Sequence, residues 1–138
     1  MKVLLDTCVV SELRRPDCHP SVRKTIESLE GENIFLSVIT VGEIAKGIAL
    51  LKDSRRRRDL ESWLRALERD HASRILSIDV EVCRTWGDLT ASAQKSGKTI
   101  PASDGLIAAT ARQHGLHIMT RNIEHFHAAG VLVVDPWS

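Results

Sequence analysis

The chain has 138 residues, of which 43% are hydrophobic and 27% charged, as expected of one soluble globular domain spanning residues 1–138. Its 19 basic and 18 acidic side chains give a net charge of +1, which argues against coating nucleic acid by bulk charge. No apolar run approaches the roughly 20 residues that span a bilayer, and no signal-peptide pattern is present, so we expect no membrane partner. Three cysteines without a C-x-x-C pair indicate a reducing, cytoplasmic setting.

Five apolar segments alternate with helical patterns along the chain. The first, Val3–Leu5, is a continuous apolar run, typical of a strand buried on both faces of a parallel sheet. Four further strands are predicted at Ile34–Ile39, Ile75–Ile78, Leu116–Thr120 and Val131–Val134. Because helices and strands alternate, we predict an α/β protein with right-handed crossovers around a mainly parallel five-stranded sheet.

Helical spacing of apolar residues marks the segments between these strands. The predicted helices cover Val9–Leu13, Pro20 to about Leu29, a segment opening at Thr40, Leu60–Leu67, Val80–Lys95, and Ala102 to about His114. Thr40-Val41-Gly42-Glu43 matches a capping box, in which Thr40 is the N-cap and the glutamate reaches back to the cap backbone.

Three acidic residues, Asp6, Glu43 and Asp104, fall where a strand gives way to a helix. Each has an ordinary structural explanation, because an acid at a helix start caps backbone N–H groups or complements the helix dipole. However, the carboxyl ends of parallel strands meet at one edge of the sheet, which would bring the three together. Clustered carboxylates repel, and a hard divalent cation such as Mg²⁺ or Mn²⁺ relieves that repulsion. Since such an ion polarises phosphoryl oxygens, the pattern indicates phosphodiester hydrolysis.

A second polar group follows the fourth predicted strand, in the segment Thr120–Phe126. Asn122 either caps a short helix or helps to complete an oxygen-rich metal site. His125 and His127 suggest a transition-metal pair only superficially, because a zinc site usually needs four ligands and no partner is placed by spacing. Thr7, Thr120 and Asn122 are candidates for orienting water or phosphate.

Taken together, these motifs resemble the PIN-domain ribonucleases, and among them the VapC/FitB-like toxins of bacterial toxin–antitoxin pairs. The matching pieces are Leu4-Leu5-Asp6-Thr7 with Val10–Leu13; Ser37–Thr40 with Glu43-Ile44 and Gly47; Ala102-Ser103-Asp104 with Leu106–Ala111; Thr120-Arg121-Asn122 with Phe126; and Asp135-Pro136-Trp137. One piece alone would be a weak signal, whereas five in order with compatible spacing are specific.

The resemblance implies a three-layer α/β/α fold and an endoribonuclease that depends on Mg²⁺ or Mn²⁺. It also implies a homodimer that a small antitoxin holds inactive by inserting a segment near the active site. Asp6, Glu43 and Asp104 match the acidic metal-site positions of the family. The chain departs from many relatives at His125, where they carry an acid, and His125 is expected to contact water or phosphate instead.

Two other functions fit parts of the sequence. A non-catalytic PIN module, which binds RNA or an antitoxin without cutting, is the alternative that His125 favours. A phosphatase with an aspartyl nucleophile typically needs Asp-x-Asp, but this chain reads Asp6-Thr7-Cys8. Cys8 itself is interpreted as a small buried hydrophobe rather than a nucleophile.

Four consecutive arginines, Arg55–Arg58, precede the helical pattern of Leu60–Leu67. Charge runs are usually solvent-facing, so a solvated helix start is the plain interpretation. The alternatives are a phosphate-contacting rim that guides RNA to the site, or a dimer or antitoxin surface on the same helix.

Overall fold

Five strands form one all-parallel sheet in the structure, a computed structural model that describes residues Met1–Ser138. The strands are β1 (Val3–Leu5), β2 (Ile34–Ser37), β3 (Ile75–Leu76), β4 (His117–Met119) and β5 (Val133–Val134). Their order across the sheet is β3-β2-β1-β4-β5, and every neighbouring pair is parallel. The predicted five-stranded parallel sheet is therefore confirmed, although each strand after the first is shorter than its apolar segment.

Seven α-helices connect and cover the strands. They are α1 (Thr7–Arg14), α2 (Pro20–Glu27), α3 (Val38–Ala49), α4 (Arg55–Asp70), α5 (Val80–Lys95), α6 (Ala102–His114) and α7 (Ile123–Ala128). Short 3₁₀ turns at Gly31–Asn33 and Ala72–Arg74 lead into β2 and β3. None of the helices combines the length and the apolar character needed to cross a membrane.

The predicted capping box at the start of α3 is wrong. Ser37, directly after β2, is the N-cap, and its hydroxyl oxygen accepts a hydrogen bond from the amide of Ile39 at 3.0 Å. Because serine caps as well as threonine does, the helix begins three residues before the expected first turn. Thr40 consequently lies inside α3 and is fully buried.

Two other helices also begin before their apolar pattern does. Helix α1 starts at Thr7 instead of the predicted Val9, because Asp6 caps it. Helix α4 starts at Arg55, which confirms the interpretation of the arginine run as a helix start, and the Ser54 hydroxyl accepts a hydrogen bond from the Arg57 amide. In both cases a polar residue supplies the cap before the apolar periodicity becomes visible.

Alternate residues of β1 enter two separate hydrophobic cores. Leu4 belongs to a cluster formed with α5, α6 and α7, whereas Val3 and Leu5 belong to a cluster formed with α1 to α4. Successive side chains of a strand point to opposite faces, so helices must cover the sheet on both sides. The result is the expected three-layer α/β/α fold.

Strands β1 and β4 lie side by side at the centre of the sheet, and the chain leaves them in opposite directions. After β1 it enters α1, whose Val9 and Val10 pack in one core, and after β4 it enters α7, whose Phe126 packs in the other. Such a topological switch point leaves a crevice at the carboxyl ends of the two strands, where open α/β sheets bind ligands.

Helices α5 and α6 approach closely at Gly105, next to the predicted site residue Asp104. A Cβ atom added at Gly105 would lie 2.9 Å from Nε1 of Trp86 and 3.0 Å from its Cδ1. Trp86, on α5, packs against the core. The indole therefore leaves no room for a side chain at this point of α6.

We expect Gly105→Ala to lower the free energy of unfolding by roughly 1–3 kcal/mol, because an added methyl group overpacks this contact. Gly87→Ala on α5 is the matched control, since a methyl group there meets nothing within 4 Å. The control should be neutral or stabilising by up to about 1 kcal/mol, as alanine favours helix over glycine. Urea unfolding of both variants measures the difference, and equal effects would contradict the overpacking.

Candidate active site

Asp6 lies at the carboxyl end of β1 and is only 3% exposed. One carboxylate oxygen, Oδ1, accepts a hydrogen bond from the Thr7 amide at 2.8 Å, which caps α1. The other oxygen, Oδ2, accepts a hydrogen bond from the Thr120 hydroxyl at 2.7 Å. The capping explanation is therefore correct for Asp6, but it occupies only one of the two oxygens.

Thr120 supports Asp6 from the end of the neighbouring strand β4. Its side chain is fully buried, and its oxygen also accepts a hydrogen bond from the Asn122 amide at 2.9 Å. The hydroxyl hydrogen is thereby left to point at Asp6. Asn122 occupies the N-cap position of α7, but its side chain is exposed and makes no capping hydrogen bond.

The environment of Asp6 disfavours its ionised form. Burial raises the pKa of the Asp6 carboxyl above its ordinary value, and the nearby carboxylate of Asp104 raises it further. Hydrogen bonds from Thr120, Thr7 and Cys8 lower the pKa without cancelling these effects. A positive charge placed at this edge of the sheet would stabilise both carboxylates.

Glu43 reaches the same edge from the middle of α3. Its Oε1 accepts a hydrogen bond from the Thr7 hydroxyl at 2.7 Å. That hydroxyl lies 3.2 Å from Oγ1 of the buried Thr40, so Thr7 is itself held in place. Because Thr7 directly follows Asp6, this contact ties Glu43 to the end of β1.

Asp104 lies in the first turn of α6, where the positive end of the helix dipole favours an acid. Its side chain is 15% exposed, and Oδ2 lies 2.6 Å from Nδ1 of His125 on α7. His125, at the position where the resemblance implies an acid, therefore contacts an acid directly. Nε2 of His125 has no protein partner.

Cys8 also borders the Asp6 carboxylate. Its Sγ lies 3.6 Å from Oδ2 of Asp6 and 3.7 Å from Oγ1 of Thr120. Burial raises the pKa of the Cys8 thiol, so the protonated form dominates at neutral pH. A protonated thiol is a weak hydrogen-bond donor and a poor nucleophile. Cys8 is only partly buried and contacts polar groups, so its interpretation as a buried hydrophobe is wrong.

The structure arranges the predicted residues as three contacting pairs: Asp6 with Thr120, Glu43 with Thr7, and Asp104 with His125. As the side chains stand, no group of three or more His, Cys, Asp or Glu residues is arranged to hold a metal ion. The available donors are carboxylate oxygens, which suit a hard cation. The role of the three acids as metal ligands stays a prediction.

The four consecutive arginines do not contact these acids. Arg57 turns inward, where it pairs with Glu61 at 3.0 Å and donates a hydrogen bond to the Leu51 carbonyl oxygen. Arg58 pairs with Asp53 at 3.4 Å. Arg55 and Arg56 line a cleft together with Arg14, the last residue of α1, and Arg15, its C-cap. The other residues that line this cleft are Pro16, Asp17, Asp59 and Leu60.

For two residues near the site, the sequence does not predict that they contact it. Thr40 has the appearance of a helix cap, yet it is buried against Thr7. Arg14 ends α1 and borders both the arginine cleft and a cavity lined by Thr7 and Glu43. No local pattern marks either position, because each depends on how separate elements pack.

The comparisons with known proteins identify the family. Residues 3–131 match the PIN domain family. Toxin FitB from Neisseria gonorrhoeae is 40% identical over 136 residues, which is 98% of each chain. VapC ribonuclease Y4jK from Sinorhizobium fredii is 38% identical over 136 residues, covering 98% of this chain and 97% of that relative. The chain therefore belongs to the PIN-domain family.

A solved structure shows the same relationship in three dimensions. In the crystal structure of FitAcB from Neisseria gonorrhoeae, one chain superposes with a TM-score of 0.93 at 40% sequence identity. The superposition covers 98% of this chain and 98% of that chain. The resemblance to PIN-domain toxins of the VapC/FitB type is confirmed over nearly the whole length.

We expect Asp6→Asn to stabilise the metal-free protein at neutral pH. The raised pKa of Asp6 in the folded chain means that the unfolded chain releases this proton first, near its ordinary pKa of 3.8. As the pH rises from about 3.8 through the raised pKa, the free energy of unfolding of the wild type therefore decreases. The variant has no carboxyl at this position and does not show this decrease. Asparagine keeps an oxygen for the Thr7 amide, and the Thr120 hydroxyl can turn to accept from its NH₂ group.

Urea unfolding in EDTA, from acidic to mildly alkaline pH, tests this prediction. Asp88→Asn on α5 is the control, because Asp88 is exposed and forms no hydrogen bond or ion pair. The stability gain of Asp6→Asn over wild type should be small at acidic pH and fully developed at neutral pH. A gain that is independent of pH, or a loss at neutral pH, would contradict the assigned cost of the buried charge.

Proposed function

We propose that this protein is a toxin that cleaves RNA and depends on Mg²⁺ or Mn²⁺. The observation that carries the proposal is the buried Asp6 carboxylate, which faces a second carboxylate at the switch point of the sheet. Because one carboxylate is buried and a second lies near it, a bound cation would stabilise the ionised forms of both. The names of the relatives support the reaction class, since one is a toxin and another a ribonuclease.

Asp6 and Asp104 would hold the cation, with Glu43 completing the site. The donors fit a hard cation because all are carboxylate oxygens. Burial and the nearby Asp104 raise the pKa of Asp6, and a bound cation would favour its ionised form. When bound, the ion would polarise a phosphoryl oxygen and offset the charge that develops on the reacting phosphate.

Neighbouring side chains of the protein hold the three predicted metal ligands in position. Thr120 fixes Oδ2 of Asp6 through its hydrogen bond, and Thr7 fixes Glu43 in the same manner. His125 orients Asp104 through Nδ1, which leaves Nε2 free to donate to, or accept from, a phosphate or water. Asn122, exposed at the start of α7, offers an amide for the same purpose.

The proposal includes a protein partner as well as the RNA. By similarity to Toxin FitB and in line with the resemblance in its own sequence, the protein would act as a homodimer in the cytoplasm and would be neutralised by a small antitoxin. Light scattering of the purified protein, alone and after coexpression with the adjacent open reading frame, tests both associations.

A non-catalytic PIN module remains the second candidate, and the contact between His125 and Asp104 favours it. At 2.6 Å this contact engages one oxygen of a predicted ligand, so a cation must compete with the histidine. Titration with Mn²⁺ by calorimetry separates the two candidates. Binding that disappears in Asp104→Asn supports the enzyme, whereas no carboxylate-dependent binding supports the module.

We expect purified wild type to cleave total bacterial RNA with Mg²⁺ or Mn²⁺ and to stop when EDTA is added. Asp6→Asn and Asp104→Asn should each reduce the rate at least about 100-fold, above the 10–100-fold typical of residues that only support metal ligands. Asp88→Asn serves as the control and should cleave like wild type. The mechanism is wrong if both site variants cleave at the wild-type rate, as measured by release of labelled fragments.

We expect Thr120→Val to reduce RNA cleavage or Mn²⁺ affinity about 10- to 100-fold, because it removes the hydrogen bond that orients Asp6. Thr110→Val is the matched control, since Thr110 is equally buried but bonds only the Leu106 carbonyl of its own helix. Rates at saturating and limiting Mn²⁺ distinguish lost metal affinity from lost turnover. Equal losses in the two variants would assign Thr120 to fold stability alone.

A further inference from the structure

A cleft between the end of α1 and the start of α4 brings four arginines together. Arg14 and Arg15 come from α1 and its C-cap, and Arg55 and Arg56 come from the first turn of α4. The cleft has a volume of about 730 Å³. Its other charged lining residues are Asp17 and Asp59, so four positive and two negative side chains leave a net charge of +2.

The two acids only partly offset the arginines. Arg15 lies 3.3 Å from Asp17, and Arg55 lies 4.0 Å from Asp59, with more than half of each side chain exposed. Exposed pairs of this kind contribute little and exchange easily with another anion. Arg14 and Arg56 form no ion pair or side-chain hydrogen bond, so their guanidinium donors are free.

The arginine cleft continues into the candidate active site. A neighbouring cavity of about 240 Å³ is lined by Thr7 and Glu43, the two site residues that contact each other. Arg14 and Leu60 line this cavity and the arginine cleft alike. A continuous surface therefore runs from the Glu43 carboxylate to the four arginines, with Arg14 at the junction.

We propose that the arginine cleft binds backbone phosphates of the RNA strand whose scissile bond lies at the carboxylates. The inference rests on the proposed ribonuclease function and adds a substrate subsite to it. Guanidinium groups bind phosphate through several directed hydrogen bonds, and free ones do so without first breaking an ion pair. Because phosphates carry no base identity, this subsite positions the strand and does not select its sequence.

Only two of the four consecutive arginines take part in the proposed phosphate binding. Arg55 and Arg56 line the cleft, whereas Arg57 is half-buried against Glu61 and Arg58 does not line the cleft. The interpretation of the run as a phosphate-contacting rim is thereby narrowed to its first half, with Arg14 and Arg15 added from α1.

The test compares R55Q/R56Q with R65Q/R69Q, two variants that lose the same charge from the same helix. Arg65 and Arg69 are exposed, form no ion pair and do not line the cleft. Affinity for a labelled single-stranded RNA is measured against salt concentration in EDTA, where cleavage is blocked. Cleavage kinetics with Mn²⁺ are measured in parallel on the same RNA.

For R55Q/R56Q we expect the slope of log affinity against log salt to shrink by about 1.4, since each phosphate contact on a single strand contributes about 0.7. The ratio of the wild-type affinity to the R55Q/R56Q affinity should then fall about sevenfold between about 50 and about 200 mM salt. In cleavage, KM should rise with kcat nearly unchanged, because the contact persists from substrate to transition state. R65Q/R69Q should show smaller changes in both measurements.

The outcomes separate this subsite from the proposed function. If wild type does not cleave but R55Q/R56Q weakens RNA binding as expected, the ribonuclease function fails and the phosphate subsite stands. If wild type cleaves and R55Q/R56Q matches R65Q/R69Q in slope and KM, the subsite proposal is wrong. Unchanged RNA binding with lost affinity for poly-glutamate would assign the cleft to an acidic protein segment and overturn the proposal.

Discussion

The burial of one carboxylate, Asp6, is the constraint on which the site depends. Its oxygens are held by the Thr7 amide and the Thr120 hydroxyl, two groups that meet only because β1 and β4 are neighbours. These hydrogen bonds reduce the free-energy cost of burying the ionised carboxylate. They do not remove it, because the ion is withdrawn from water and lies near a second acid. The fold is therefore less stable at this point than an uncharged residue would make it, as is common at functional sites.

Two of the three acids are held by threonine hydroxyls and the third by a histidine. A buried threonine hydroxyl holds Asp6, the more exposed Thr7 hydroxyl holds Glu43, and an imidazole holds Asp104. His125 differs from the two threonines because it can carry a positive charge. A cation at this site would have to share Oδ2 of Asp104 with the histidine, which makes His125 a competitor for the cation.

The near-neutral net charge of the chain conceals a strong separation of charge. Acids gather at the carboxyl ends of the central strands, and arginines gather between α1 and α4. The arginine region would attract a polyanionic strand, whereas the acidic region would repel it in the absence of a cation. Composition alone does not reveal such an arrangement, because the two regions cancel in the sum.

The sequence by itself determined the parallel sheet, the approximate positions of its strands and the candidate acids, because these follow from local properties: apolar runs, helical spacing and acids placed after strands. It did not determine where the strands after β1 begin and end. It misplaced the start of α3, since Ser37 and Thr40 are equally good caps and only packing decides between them. Tertiary structure alone decided that Thr120 serves Asp6, that His125 contacts Asp104, and that Arg14 joins Arg55 and Arg56. Each contact joins residues from separate elements, so it depends on strand order and helix packing, which no local pattern encodes.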